Sequence, residues 1–134
     1  MKKILCALGL VIGLAAPAWA DVLREPPKIE FTAPASAETV KTAIITAATK
    51  RKWQATEVSP GQIDASITVR SRHMVKVAIS YDDHGVAIRY LDSADMDYQP
   101  AEGRTYIHGN YMKWTETLAN DIRKQLDASR IAVN

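Results

Sequence analysis

Residues 62–93 read QIDASITVRSRHMVKVAISYDDHGVAIRYLDS, and the period of two in this stretch decides the fold. Ile63, Ala65, Ile67 and Val69 fall on one side of an extended chain, as do Val75, Val77, Ile79 and Tyr81, and then Val86, Ile88 and Tyr90. A loop of Ser71, Arg72 and His73 pairs Val69 with Val75 and Ile67 with Val77. The turn Asp82-Asp83-His84-Gly85 pairs Tyr81 with Val86 and Ile79 with Ile88. Both registers keep every apolar side chain on one face, which is what an antiparallel meander requires. Gly85 is expected to supply a positive φ, with the two aspartates favouring the bend.

Working outward, residues 53–58 predict a fourth strand joined through Ser59-Pro60-Gly61. A two-residue turn at Pro60-Gly61 sends Trp53 outward, and a three-residue loop sends it into the core; burial of so large a ring favours the second. Ser36 is a good helix N-cap, Glu38 suits the positive end of the helix dipole, and Val40, Ile44, Ala47 and Ala48 share a face, so a helix is predicted over 37–52. The cations Lys50, Arg51 and Lys52 complement its C-terminal end. A second helix closes the chain, with Ile107, Tyr111, Trp114, Leu118, Ile122 and Leu126 recurring at spacings of three and four. Between Ser93 and that helix lie roughly 14 residues without a regular pattern, long for a structureless loop in a compact domain.

The expected fold class is therefore α+β, with two layers: a four-stranded antiparallel meander packed on one face by an N-terminal and a C-terminal helix, in the order α-β-β-β-β-α. Residues 36–134 form that single domain, and residues 21–35, with Pro26, Pro27 and Pro34, form an extended arm in which Ile29 and Phe31 suggest a short edge strand. Residues 1–20 read as a signal peptide. Lys2 and Lys3 precede an apolar run, and Ala18-Trp19-Ala20 is a small-x-small cleavage pattern, so cleavage after Ala20 and a periplasmic location are expected. No membrane-spanning segment is expected after cleavage.

Cleavage removes Cys6, leaving a cysteine-free chain without disulfides, thiolate nucleophiles or thiolate metal ligands. It also removes Lys2 and Lys3, which carry the whole net charge of +2, and from Asp21 onward 15 cations meet 15 anions. A neutral chain whose basic run is confined to residues 50–52 argues against nucleic acid as a partner, because that binding rests on phosphate neutralisation.

The candidate chemistry gathers in three places. On the open face of the sheet, Ser66, Ala78 and Arg89 are expected in one row and Thr68, Lys76 and Leu91 in the next. Small side chains bordered by cations there could receive a peptide, a small anion or a second copy of the chain. The loop after the fourth strand offers Asp92, Ser93, Asp95, Asp97 and Tyr98, close to His73 by strand pairing and near His108 at the start of the last helix. His73, Asp92 and Asp95 are the residual metal candidates, but the loop does not fit a calcium-binding pattern, and neither a metal nor another cofactor is expected. His84, at the opposite end of the sheet from His73, reads as an exposed turn residue. No Gly-x-Ser-x-Gly elbow or phosphate-cradling glycine loop occurs.

Trp53, Pro60-Gly61, Val69-Arg70-Ser71-Arg72-His73, Asp92-Ser93, Met96-Asp97-Tyr98 and Ile107-His108 with Tyr111, Trp114 and Leu118 give the chain a pattern that resembles a family of small exported proteobacterial proteins of uncharacterised function, periplasmic or lipoprotein-like. In that family an asparagine stands at the places of Asp95 and Met112, which argues against an essential acid or amide at either position. The resemblance implies export and no catalytic residue. The expected function is a non-catalytic binding or envelope-accessory module whose partner is an envelope protein, a peptide or a small anionic ligand. The alternatives are a small metal-dependent or hydrolytic enzyme using His73, Asp92 and His108, and a structural subunit that forms a homodimer through the open sheet face.

Overall fold

A computed structural model describes residues 20–134; the expected signal, with Cys6, lies outside the described residues apart from Ala20. The elements run β1 (Ala20–Val22), β2 (Ile29–Glu30), α1 (Ala37–Lys50), β3 (Gln54–Ser59), β4 (Gln62–Val69), β5 (His73–Tyr81), β6 (Gly85–Ala94), β7 (Gln99–Ala101), β8 (Arg104–His108) and α2 (Asn110–Ala128). The fold is α+β with two antiparallel sheets, a five-stranded one ordered β2-β6-β5-β4-β3 and a three-stranded one ordered β1-β8-β7. The four-stranded meander is therefore only part of the sheet structure. The arm adds β2 to its outer edge and β1 to the smaller sheet, and the patternless stretch after Ser93 contains a hairpin.

The alternation of residues 62–90 places Ile63, Ala65, Val75, Val77, Ile79, Val86 and Ile88 in one core with Val40, Ile44 and Ala47 of α1 and Tyr111, Leu118, Ile122 and Leu126 of α2. Ser36 caps α1 as expected, its Oγ accepting the N–H of Thr39 at 3.1 Å. Beyond the helix end, Arg51 pairs with Asp121 of α2 and so ties the two helices together.

Registers differ from the expectation where an apolar pattern cannot detect a shift of two. The turn between β4 and β5 is 70–72, so Ile67 faces Val75 and Val69 faces His73, one pair earlier than expected. A bulge in β6 then sets Leu91 aside, with Tyr90 opposite Val77 but Asp92 opposite Lys76. The turn at Pro60-Gly61 has two residues, yet Trp53 is buried, because a second bulge at Val58 restores the inward phase of Ala55 and Trp53. Pairing around Asp82-Asp83-His84-Gly85 is as expected: Tyr81 with Val86 and Ile79 with Ile88.

Gly85 is not a positive-φ residue. It is a glycine because β2 crosses close beside it: a Cβ there would lie 2.6 Å from the Ile29 carbonyl oxygen. Ile107, assigned by spacing to the helical stripe, belongs to β8, where it faces Asp21 of β1; α2 begins only at Asn110. The hairpin of β7 and β8 turns through Glu102 and Gly103, both at positive φ.

Candidate functional site

The two ends of β5 hold different arrangements. At the distal end, Asp82 Oδ1 accepts the backbone N–H groups of His84 and Gly85 at 2.8 and 2.9 Å, and these bonds, the His84 one foremost, hold its carboxyl below the usual range. His84 is exposed, its Nδ1 bonded to the Asp83 carboxylate at 2.6 Å. Among the described residues, Asp82, Asp83 and His84 are the one group of three side chains close enough to share a cation. All three are exposed and engaged with one another or with their own backbone.

At the other end, His73 starts β5 and His108 ends β8, and both line one cavity of about 330 Å³ with Val69, Arg70, Met96, Asn110 and Trp114. The sequence brings them together in stages. The β4–β5 turn puts Arg70 and Ser71 in the left-handed region, at φ 55° and 60°, and Asp95 and Asp97 take the same conformation on either side of Met96. Met96 is thereby sunk into the core at 2 % exposure. Its carbonyl oxygen accepts the N–H of His108 at 2.7 Å and ties the loop to β8.

His73 Nδ1 meets the Asp95 carbonyl oxygen at 2.8 Å. His108 Nδ1 accepts the N–H of Asn110 at 3.1 Å and so serves as a cap for α2, whose N-cap residue Gly109 has no side chain to offer. Trp114, half-buried one turn along α2, and exposed Arg70, which has no ion pair among the described residues, also line the cavity.

The loop residues Asp92, Ser93, Asp95, Asp97 and Tyr98 gather in a separate, shallower concavity with Tyr90, Leu91 and Met96. Tyr98 stacks on Tyr90 at 4.4 Å between centroids, and Tyr90 meets Tyr111 edge to face at 5.7 Å. Ser93 Oγ bonds the Tyr90 hydroxyl at 2.8 Å, and the Asp92 carboxylate accepts the N–H of Ser93. Glu25, from the arm, accepts both the Tyr90 N–H and the Tyr111 hydroxyl at 2.6 Å. Burial, reinforced by that carboxylate, pushes the Tyr111 phenol far above its ordinary range.

The metal candidates do not converge. Asp92 faces Lys76 in a row that points away from the helices, whereas His73 is on the helix side, and the Asp95 carboxylate pairs with Arg72 at 3.4 Å. The open-face rows are also rearranged: Ser66, Lys76 and Asp92 form one, Asp64, Ala78 and Arg89 the next, and Thr68, Met74 and Ala94 a third. Lys76 thus has an acid across from it, and Leu91 has left the row. Sequence reasoning missed Arg70, Asn110 and Trp114 as lining residues; a left-handed turn at Arg70 and a helix start at Asn110 leave little local signal.

No family model matches the chain, and no curated protein and no solved structure matches it. No helix among the described residues is long and apolar enough to cross a membrane.

Proposed function

We propose that the chain is an exported, periplasmic, non-catalytic binding module that holds a small anionic ligand, free or as the end of a peptide, in the cavity between His73 and His108. The observation that carries this reading is the convergence of Arg70, His73, His108 and Asn110, from four separate elements or turns, around one hollow with apolar walls of Val69, Met96 and Trp114. The surface this hollow presents is more polar than apolar, which suits a small charged ligand that its polar groups can hold by charge-assisted hydrogen bonds. Export is supported by the charged, apolar and small-x-small pattern of residues 1–20 and by the resemblance to small exported proteobacterial proteins. The open sheet face is the weaker binding surface, because Asp92 stands opposite Lys76. Catalysis by His73, Asp92 and His108 is weaker still, since Asp92 lies on the other face of the sheet.

The test starts with expression of the full chain in a bacterium and fractionation of the cells: the protein is expected in the periplasmic fraction with an intact mass beginning at Asp21, and a product confined to the cytoplasm with Met1 retained contradicts export. Inorganic phosphate is then titrated while the Trp114 indole and the imidazole resonances are followed. Saturable shifts of Trp114, His73 and His108, reached only at higher phosphate in Arg70→Ala, are expected. Shifts confined to Lys76 and Arg89 overturn the cavity as the site.

A further inference from the structure

The chemistry of two backbone partners fixes where the protons of the cavity imidazoles lie. A carbonyl oxygen can only accept, so the neutral His73 ring that meets Asp95 O carries its hydrogen on Nδ1 and keeps a lone pair on Nε2. A backbone N–H can only donate, so His108, facing the N–H of Asn110, has its lone pair on Nδ1 and its hydrogen on Nε2. Each Nδ1 is occupied by backbone. The two Nε2 atoms are therefore the nitrogens left for a ligand, and they have opposite polarity: His73 accepts and His108 donates. Arg70, which can only donate, lines the same cavity.

Resting on the reading that this cavity takes a small anion, we infer that its ligand is an oxyanion that still carries a hydroxyl hydrogen, such as a hydrogenphosphate group or a 2-hydroxycarboxylate. Its charged oxygens accept from Arg70 and from His108 Nε2–H, and its hydroxyl donates to His73 Nε2. A fully deprotonated anion of the same size and charge turns a lone pair toward the lone pair of His73 and leaves that nitrogen without a bond. A binding site built around a donor–acceptor pair rejects the analogue that lacks the matching hydrogen. The charged and titratable groups around His73 are Arg70 and Arg72 of the preceding turn, Asp95, whose carboxylate is held by Arg72, and His108 across the cavity. Arg70 and His108 Nε2–H are donors in the same cavity, and in this arrangement the charged oxygens of the ligand take up both, leaving the ligand hydroxyl for His73 Nε2.

The experiment uses the intact protein at about pH 8, above the ordinary imidazole titration, and two matched pairs of sodium salts. Phosphate retains a hydrogen where sulfate has none, and lactate has a hydroxyl where propionate has none. The expected result is binding at least about tenfold tighter for the hydroxyl-bearing member of one or both pairs, with the selective pair naming the source as phosphate or carboxylate. His73→Ala, with its fold checked by its amide spectrum, brings the ratio toward one. Arg70→Ala, on an exposed turn, weakens every anion and keeps the ratio. Sulfate equal to phosphate together with propionate equal to lactate overturns the inference and leaves the anion site standing. Absence of binding by all four salts overturns the anion site as well.

Discussion

A histidine stands at each end of β5, His73 as its first residue and His84 in the turn that follows it, and the two have opposite fates. At the Asp82-Asp83-His84-Gly85 end, the side chains are satisfied within three residues: Asp82 holds the N–H groups of His84 and Gly85, and Asp83 holds the imidazole of His84, while the remote arm reaches only the backbone, Phe31 and Ala35 donating to the carbonyls of His84 and Asp83. At the Arg70-Ser71-Arg72 end, His73 reaches a carbonyl group 22 residues away and shares a cavity with His108, Asn110 and Trp114. A histidine at the end of a strand is thus not informative by itself. What separates a solvated turn from a candidate site is whether remote segments engage the imidazole and wall a cavity around it, and here those segments are the loop around Met96 and the first turn of α2.

This contrast can be broken from either side. The largest effect is expected where the remote segments are anchored. Tyr111 is fully buried beside Asn110, and its hydroxyl reaches Glu25 of the arm. Tyr111→Ala should lower unfolding stability by about 3–5 kcal/mol in urea denaturation, and Tyr111→Phe by about 1–2 kcal/mol. A pH dependence accompanies the second variant. Because burial raises the Tyr111 phenol, the folded chain keeps a proton that the unfolded chain releases near pH 10. The stability linked to this proton is complete below about pH 10 and declines as pH rises beyond it. Tyr111→Phe should make that alkaline decline shallower, and an unchanged slope would contradict the assignment.

At the Asp82-Asp83-His84-Gly85 end, effects should be smaller and local. Gly85→Ala pushes a methyl group against the Ile29 carbonyl and should cost about 1–3 kcal/mol, with loss of hydrogen-exchange protection confined to β2 and the edge of β6. Asp82→Ala removes the acceptor of two backbone N–H groups and should cost about 1 kcal/mol near neutral pH. The Asp82 carboxyl is held below its ordinary value, so its contribution is present above about pH 4 and disappears as pH falls through the lowered value. The Asp82→Ala difference should therefore vanish in acid. Smallest of all, His84→Ala should change stability by less than about 0.5 kcal/mol and leave anion binding intact, whereas His73→Ala should abolish the preference between phosphate and sulfate.

The same contrast marks what could be read from the sequence. The Tyr81–Val86 register, the Ser36 cap and the stripe of Tyr111, Leu118, Ile122 and Leu126 were legible because each is set by residues close together in the chain. The β4–β5 register was not, since a slip of two leaves every valine and isoleucine on the same face. The bulges at Val58 and Leu91 carry no composition signal; the first set the phase of Trp53 and the second put Asp92 opposite Lys76, while the slip of two moved Ser66 from Ala78 to Lys76. Ile107 satisfies both a helical spacing and a strand position, and only the pairing of β8 with Ala20–Val22 decides between them. For the site, His73 and His108 were visible as residues, but their grouping with Asp92 assumed a side of the sheet that the β6 bulge and the pairing with Lys76 do not provide. Tyr98 and the acids after Asp92 do gather, beside Tyr90, with the Asp95 carbonyl oxygen reaching His73.

The central claim is that long-range partners give the two cavity imidazoles fixed and opposite protonation, and long-range nitrogen–proton correlation spectra of the histidine rings at about pH 8 test it most directly. The account predicts His73 as the Nδ1–H tautomer, His108 as the Nε2–H tautomer, and His84 with no coupling to the other two on adding phosphate. Finding His73 and His108 in the same tautomer, or both exchanging freely between forms, would contradict it.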